Sequence, residues 1–196
     1  LRALEAAAAA MSAQTGQPTG FTRSRGDGWQ MFVADPAQAL RALVMMRAAL
    51  RQADLGLETR IAAGIGTFTL PEETARPGTL SAATGHAFTA SGQALDMMGT
   101  DELALVGTGT TSRDRALLGL IEWQTGRWTA AQAQAANLAL GAPDAVHATI
   151  AKQLGITRQA VQARLAGAGL APLEEALAAY EASAPQTEHI AQRTPL

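Results

Sequence analysis

The sequence predicts an α+β protein in two parts: a mixed α/β unit over residues 1–110, then an all-α unit over residues 111–184. Two observations carry this. Helical and strand periodicities alternate as far as Val106, whereas no strand pattern follows Ser112. The chain is also 47% hydrophobic but only 4% aromatic, with alanine supplying much of the rest, so the core is expected to consist of close-packed helices with small side chains. The boundary is placed between Gly107 and Ser112, and residues 185–196, polar and with two prolines, are expected to form a flexible tail.

Leu1, Leu4, Ala8 and Met11 have helical spacing, and the Gly16, Pro18, Gly20 cluster ends that first helix. Phe21 to Arg25 and Trp29 to Val33 flank Gly26-Asp27-Gly28, which reads as a β-hairpin because glycine admits the positive φ of tight turns. Asp35 as N-cap and Pro36 in the first turn start a helix that Leu40, Leu43, Val44, Met46 and Leu50 continue to about Ala53. Alternation of Ile61, Ala63, Ile65, Thr67 and Thr69 predicts a strand from Thr59 to Leu70. A polar loop, a helix from Gly85 to Met98 and a short strand from Leu103 to Val106 complete the first unit, whose strands are expected to share one sheet.

Composition sets limits on function. A net charge of −2 excludes coating of nucleic acid through bulk electrostatics, so any DNA contact must be local. The absence of cysteine removes disulfides, thiol catalysis and zinc ribbons together. His86, His147 and His189 are far apart and lack metal-ligand spacing. Apolar runs are far shorter than the roughly 20 residues that cross a bilayer, so a cytoplasmic protein without membrane contact is expected. The chain enters a helical pattern directly at Leu1, and residues upstream of it are expected to be missing.

The strongest pattern lies between Ala145 and Gly167. Gly155 supplies a left-handed end for one helix, Thr157 caps the next, and Ala151 is small where the second helix crosses. Ile150, Leu154, Ile156, Val161 and Leu165 would close a small core between them, with Trp128 to Leu140 as a preceding helix capped by Thr129. This predicts a helix-turn-helix bundle. The second helix then displays Thr157, Arg158, Gln159, Gln162 and Arg164, residue types that hydrogen-bond base edges and phosphates in a major groove. Between Pro143 and Leu170 the charges are Lys152, Arg158 and Arg164 against Asp144, 3 − 1 = +2. Such a hairpin with small residues at its crossing also serves as a plain packing device in many bundles.

Gly26-Asp27-Gly28-Trp29-Gln30 at a hairpin tip, the helix after it, the strand Arg60-Ile61-Ala62-Ala63-Gly64-Ile65-Gly66 and the helix opening Gly85-His86-Ala87-Phe88 together resemble the SatD family. The resemblance spans about Leu1 to Gly169 and implies a nucleotide-cyclase-like (ferredoxin-like) sheet with packed helices, followed by the helix-turn-helix. It puts Asp27 where active cyclases hold metal, although a second carboxylate would have to come from a strand preceding Leu1. Asp27 serves equally well as a turn residue capping its own hairpin.

Thr89-Ala90-Ser91-Gly92-Gln93 also stands where relatives place a phosphate-stabilising arginine. Catalysis and a cofactor are therefore not expected. The expected function is a DNA-binding transcriptional regulator with a degenerate cyclase-like unit for dimerisation or sensing, working as a homodimer through the apolar faces of Ala39 to Leu50 and Ala87 to Met98. The alternative is a nucleotide-binding or cyclase-type enzyme using Asp27 and a divalent metal.

Overall fold

The first helix, α1 (Arg2–Thr15), buries Leu4, Ala7, Ala8 and Met11 along one face and ends at Gly16, whose φ of 65° only glycine adopts without strain. The computed structural model describes residues 2–17, 19–23, 28–54, 59–70, 79–99, 102–142 and 145–184. The hairpin tip with Asp27 and the expected tail lie outside the described residues.

Strands β1 (Gly20–Arg23) and β2 (Trp29–Phe32) pair antiparallel, with Phe21 opposite Met31. Phe21 stacks on Trp29 at 6.1 Å between centroids, and Phe32 meets Phe68 edge-on at 4.7 Å, so both aromatics of β2 are packing groups. The Asp35 side chain accepts from Ala37 N at 2.9 Å, and a 3-10 turn from Pro36 leads into α2 (Ala39–Gln52).

Helix α2 is the centre of the molecule, with every residue from Leu40 to Ala49 buried. It packs on α1, on strand β3 (Ile61–Ile65) and most extensively on α5 (Ala130–Gly141). A helix enclosed on all sides has no face left for a second copy, so the dimer surface expected on Ala39 to Leu50 is occupied by the chain itself.

Strand β3 runs parallel to β4 (Leu103–Gly107), and α3 (His86–Met97) lies over both. The strand stops at Ile65 rather than Leu70 because the start of α3 closes on Gly66. Thr69 survives as an isolated bridge to Thr84. The four strands form two separate two-stranded sheets, not the single sheet expected. Alternating apolar residues mark a strand without naming its neighbour. Here β1 is held by the 3-10 turn Thr79–Ala82, where Leu80 N donates to Thr22 Oγ1 at 3.2 Å, while β3 and β4 are held by α2 and α3.

From α4 (Ser112–Thr125) onward the described residues are helical: α5, α6 (His147–Leu154), α7 (Arg158–Ala168) and α8 (Leu170–Ser183). The architecture is mixed α+β and mostly helical. One apolar core joins Ile61 and Leu105 to Leu118, Leu140, Val161 and Leu177, so it is continuous across the segment between β4 and α4. Among the described residues, no helix is long and apolar enough to cross a membrane.

Helix α8 is tied back to α2 by Arg41 Nε and Glu181 Oε1 at 2.6 Å. Beside it the Tyr180 hydroxyl is buried with no hydrogen-bond partner among the described residues. Burial first, then the negative charges of Asp114 and Asp35, pushes its pKa up to about 12 from 10.0. A neutral form retained by the fold while the unfolded chain ionises means stability that is full below pH 10 and lost as pH rises from about 10 to 12. Tyr180 is the one tyrosine, so absorbance at the tyrosinate band reads it directly. The native protein is expected to titrate near 12 and the urea-unfolded chain near 10; a native midpoint near 10 would place the hydroxyl in solvent.

Candidate nucleic-acid interface

Three residues, Gly155, Ile156 and Thr157, connect α6 to α7. Gly155 adopts φ 65° and ψ 32°, the left-handed geometry that ends a helix, and Ile156 N donates back to Ala151 O at 3.0 Å. Thr157 is extended at φ −77°, ψ 158°, and its Oγ1 accepts from Ala160 N at 3.1 Å, capping α7. Ile150, Ala151, Val161 and Leu165 are buried between the helices, with Leu154 and Ile156 packed against them. The turn, the cap and this small core stand where the sequence predicts them.

At the far end, Gly169 at φ 65° and ψ 37° separates α7 from α8. The last carbonyls of α7 are taken up from below. Gln124 Nε2 donates to Ala168 O at 2.8 Å and to Gly169 O at 2.9 Å, and Trp128 Nε1 donates to Ala168 O at 2.8 Å. Helix α5 supports the underside of α7.

An α-helix turns roughly 100° per residue. On α7 this separates a buried arc holding Val161, Leu165 and Ala168 from a solvent arc holding Gln159, Gln162, Ala163 and Ala166. Arg158 and Thr157 join that arc at its N-terminal end, both exposed. Thr157, Arg158, Gln159 and Gln162 are therefore brought together, and the alanines beside them leave the backbone free to approach a flat or grooved partner closely.

Arg164 is different. It lies two residues beyond Gln162, roughly 200° around the helix, half-buried at the opposite rim. Its geometry suits a flanking phosphate rather than a base edge shared with Gln162. Two exposed residues of α6, Lys152 and Gln153, stand just before the turn and belong to the same end of the unit. Gln153 was absent from the sequence-based set, although a polar residue just before the Gly155 turn was the available signal.

The residues tied to the cyclase-like reading have local duties. Gly64 and Gly66 admit α3: a Cβ at Gly64 would lie less than 3.0 Å from Ala87 O, and one at Gly66 2.6 Å from His86 Nδ1. His86 is the exposed first residue of α3. Ser91 Oγ donates to Phe88 O at 3.1 Å within the same helix. Among the described residues there is no group of three or more His, Asp or Glu side chains that could hold a metal ion, and Asp27 lies outside them. A shallow polar cleft of about 160 Å³ between Gln14, Thr15, Gln17, Asp35 and Gln38 falls below the roughly 300 Å³ of small-molecule sites.

Comparison with protein-family models, with curated proteins and with solved structures finds no match to this chain.

Proposed function

We propose that this chain is a sequence-specific DNA-binding regulator in which α6 and α7 form a helix-turn-helix and α7 is the recognition helix. The observation that carries this reading is the exposed cluster of Thr157, Arg158, Gln159 and Gln162 at the start of a helix whose other face is buried. Recognition helices use their N-terminal residues on base edges, and arginine and glutamine supply the bidentate hydrogen bonds that discriminate guanine and adenine. Lys152 and Arg164, on either side, are assigned to phosphates.

The N-terminal portion is read as a SatD-like, catalytically degenerate cyclase-like unit serving dimerisation or sensing. Its support is the succession of hairpin, helix, strand and helix from Gly20 to Met97, in the order that resemblance implies. A homodimer is part of this proposal, because one recognition helix with a local charge of +2 yields low affinity and a two-fold operator would engage two.

The test is selection from a random DNA library with the full chain at fixed salt. A palindromic site is expected to enrich. Arg158→Ala and Gln162→Ala are each expected to weaken that site by about 5- to 150-fold and to relax one base position each. Arg164→Ala is expected to weaken all sequences about equally and to lower the salt slope by about 1. No enrichment above a salt-sensitive background would end the regulator reading and move the question to nucleotide and metal binding at Asp27.

A further inference from the structure

Helix α4 carries large apolar residues on two opposite faces. Leu118, Ile121 and Thr125 face the core, while Leu120 and Trp123 are 68% and 61% exposed on the other side. Arg113, Ala116, Leu120 and Trp123 follow one another on α4 at spacings of three and four, the seam of a helix that packs on another helix, Arg127 continues the spacing in the turn just after it, and all five are exposed. The described residues supply no helix for that seam.

Two details set this face apart from ordinary exposed leucine. Gly119 sits mid-helix beside Leu120, and a Cβ there would have no atom of the described residues within 4 Å, so none of them requires glycine at a position where it costs roughly 1 kcal/mol against alanine. Trp123 is also held in place. The Arg127 guanidinium lies 3.9 Å from its ring centroid and Arg127 Nη1 donates to Trp123 O at 2.8 Å, so the exposed indole is an anchor with little freedom left to lose.

We infer that this face of α4 is an interface between two copies of the chain, packed antiparallel about a two-fold axis between Gly119 and Leu120. The sizes along the seam identify the occupant. About that axis, Trp123 of one copy falls on Ala116 of the other and Leu120 falls on Gly119, so each large side chain meets a small one and the surface is complementary to itself. Arg127 is then carried toward the positive N-terminal end of the other α4, a repulsion that salt screens, so association tightens as salt is raised. This inference gives the homodimer of the DNA reading a surface on α4 instead of the N-terminal portion, while its observations use no residue of α6 or α7, so loss of DNA selection leaves it standing.

Sedimentation equilibrium of the full chain is expected to show a monomer–dimer equilibrium, and Leu120→Glu, which changes an exposed residue and leaves the circular dichroism unchanged, is expected to weaken it about thirtyfold or more. The chain has no cysteine, so single substitutions report proximity cleanly. Under mild oxidation Gly119→Cys is expected to form a disulfide-linked dimer, whereas Arg113→Cys, separated from its counterpart by about 20 Å along an antiparallel pair, is not. A wild-type monomer up to about 100 μM, equal cross-linking at both positions, or cross-linking at neither overturns the proposal. So does binding of a different protein by a chain that never self-associates.

Discussion

Gly64→Ala is expected to lower the melting temperature by roughly 10 °C, the equivalent of about 3 kcal/mol for a chain of this size. The added methyl would point at Ala87 O and Ser91 N, backbone atoms of α3 that have no rotamer to change. Either α3 lifts from β3, exposing the apolar contacts between them, or the strand bends and its ladder to β4 weakens. Gly92→Ala is the matched control with the opposite sign. It lies on the outer side of the same helix with nothing within 4 Å, so alanine only improves the helix, by up to about 1 kcal/mol. Thermal unfolding of both variants checks the pair, and equal shifts would mean that α3 does not sit on Gly64.

Trp128→Ala is expected to cost about 3–5 kcal/mol, enough to unfold a marginal domain. Trp128 is 3% exposed, its indole N–H donates to Ala168 O, and its own carbonyl accepts from Arg51 Nε at 3.2 Å. One side chain therefore joins the turn before α5 to the end of α7. Trp128→Phe separates volume from hydrogen bonding: it keeps most of the apolar bulk and leaves the Ala168 carbonyl with Gln124 Nε2 as its remaining donor, at a cost of about 0.5–1.5 kcal/mol for the lost hydrogen bond. Urea unfolding is the measurement, and a phenylalanine variant as damaged as alanine would show that packing shape outweighs the hydrogen bond.

Local signals in the sequence translated well. Asp35, Thr129, Thr157 and Gly155 are punctuation read by the backbone within a few residues, and each caps or ends a helix as its chemistry dictates. The turn and small core of the α6–α7 unit were legible for the same reason. Neighbour relations were not. Ile61 to Thr69 alternates throughout, yet the strand ends at Ile65, because the close approach of α3 to Gly66 is a tertiary fact.

The pairing of β1–β2 and β3–β4 into separate sheets is equally invisible to alternation. Periodicity likewise marked Ala39 to Leu50 as apolar on one face, while the fold buries it on all. At the site, helical angles already in the sequence set Arg164 apart from Gln162. What they did not reveal was which of the two apolar faces of α4 enters the core: Leu118 and Ile121 are buried, while Leu120 and Trp123 stay exposed.

The C-terminal end of α7 is clamped by Gln124 and Trp128, whereas its first residue, Arg158, stands ten positions and about 15 Å away in solvent. The helix is thus a pointer fixed at its base. Tilting that base by roughly 10° would sweep the tip through about 2.5 Å, more than a hydrogen bond to a base edge tolerates. Gln124 belongs to α4, so the aim of the pointer is geared to α4, and whatever seats against Leu120 and Trp123 grips the same gear.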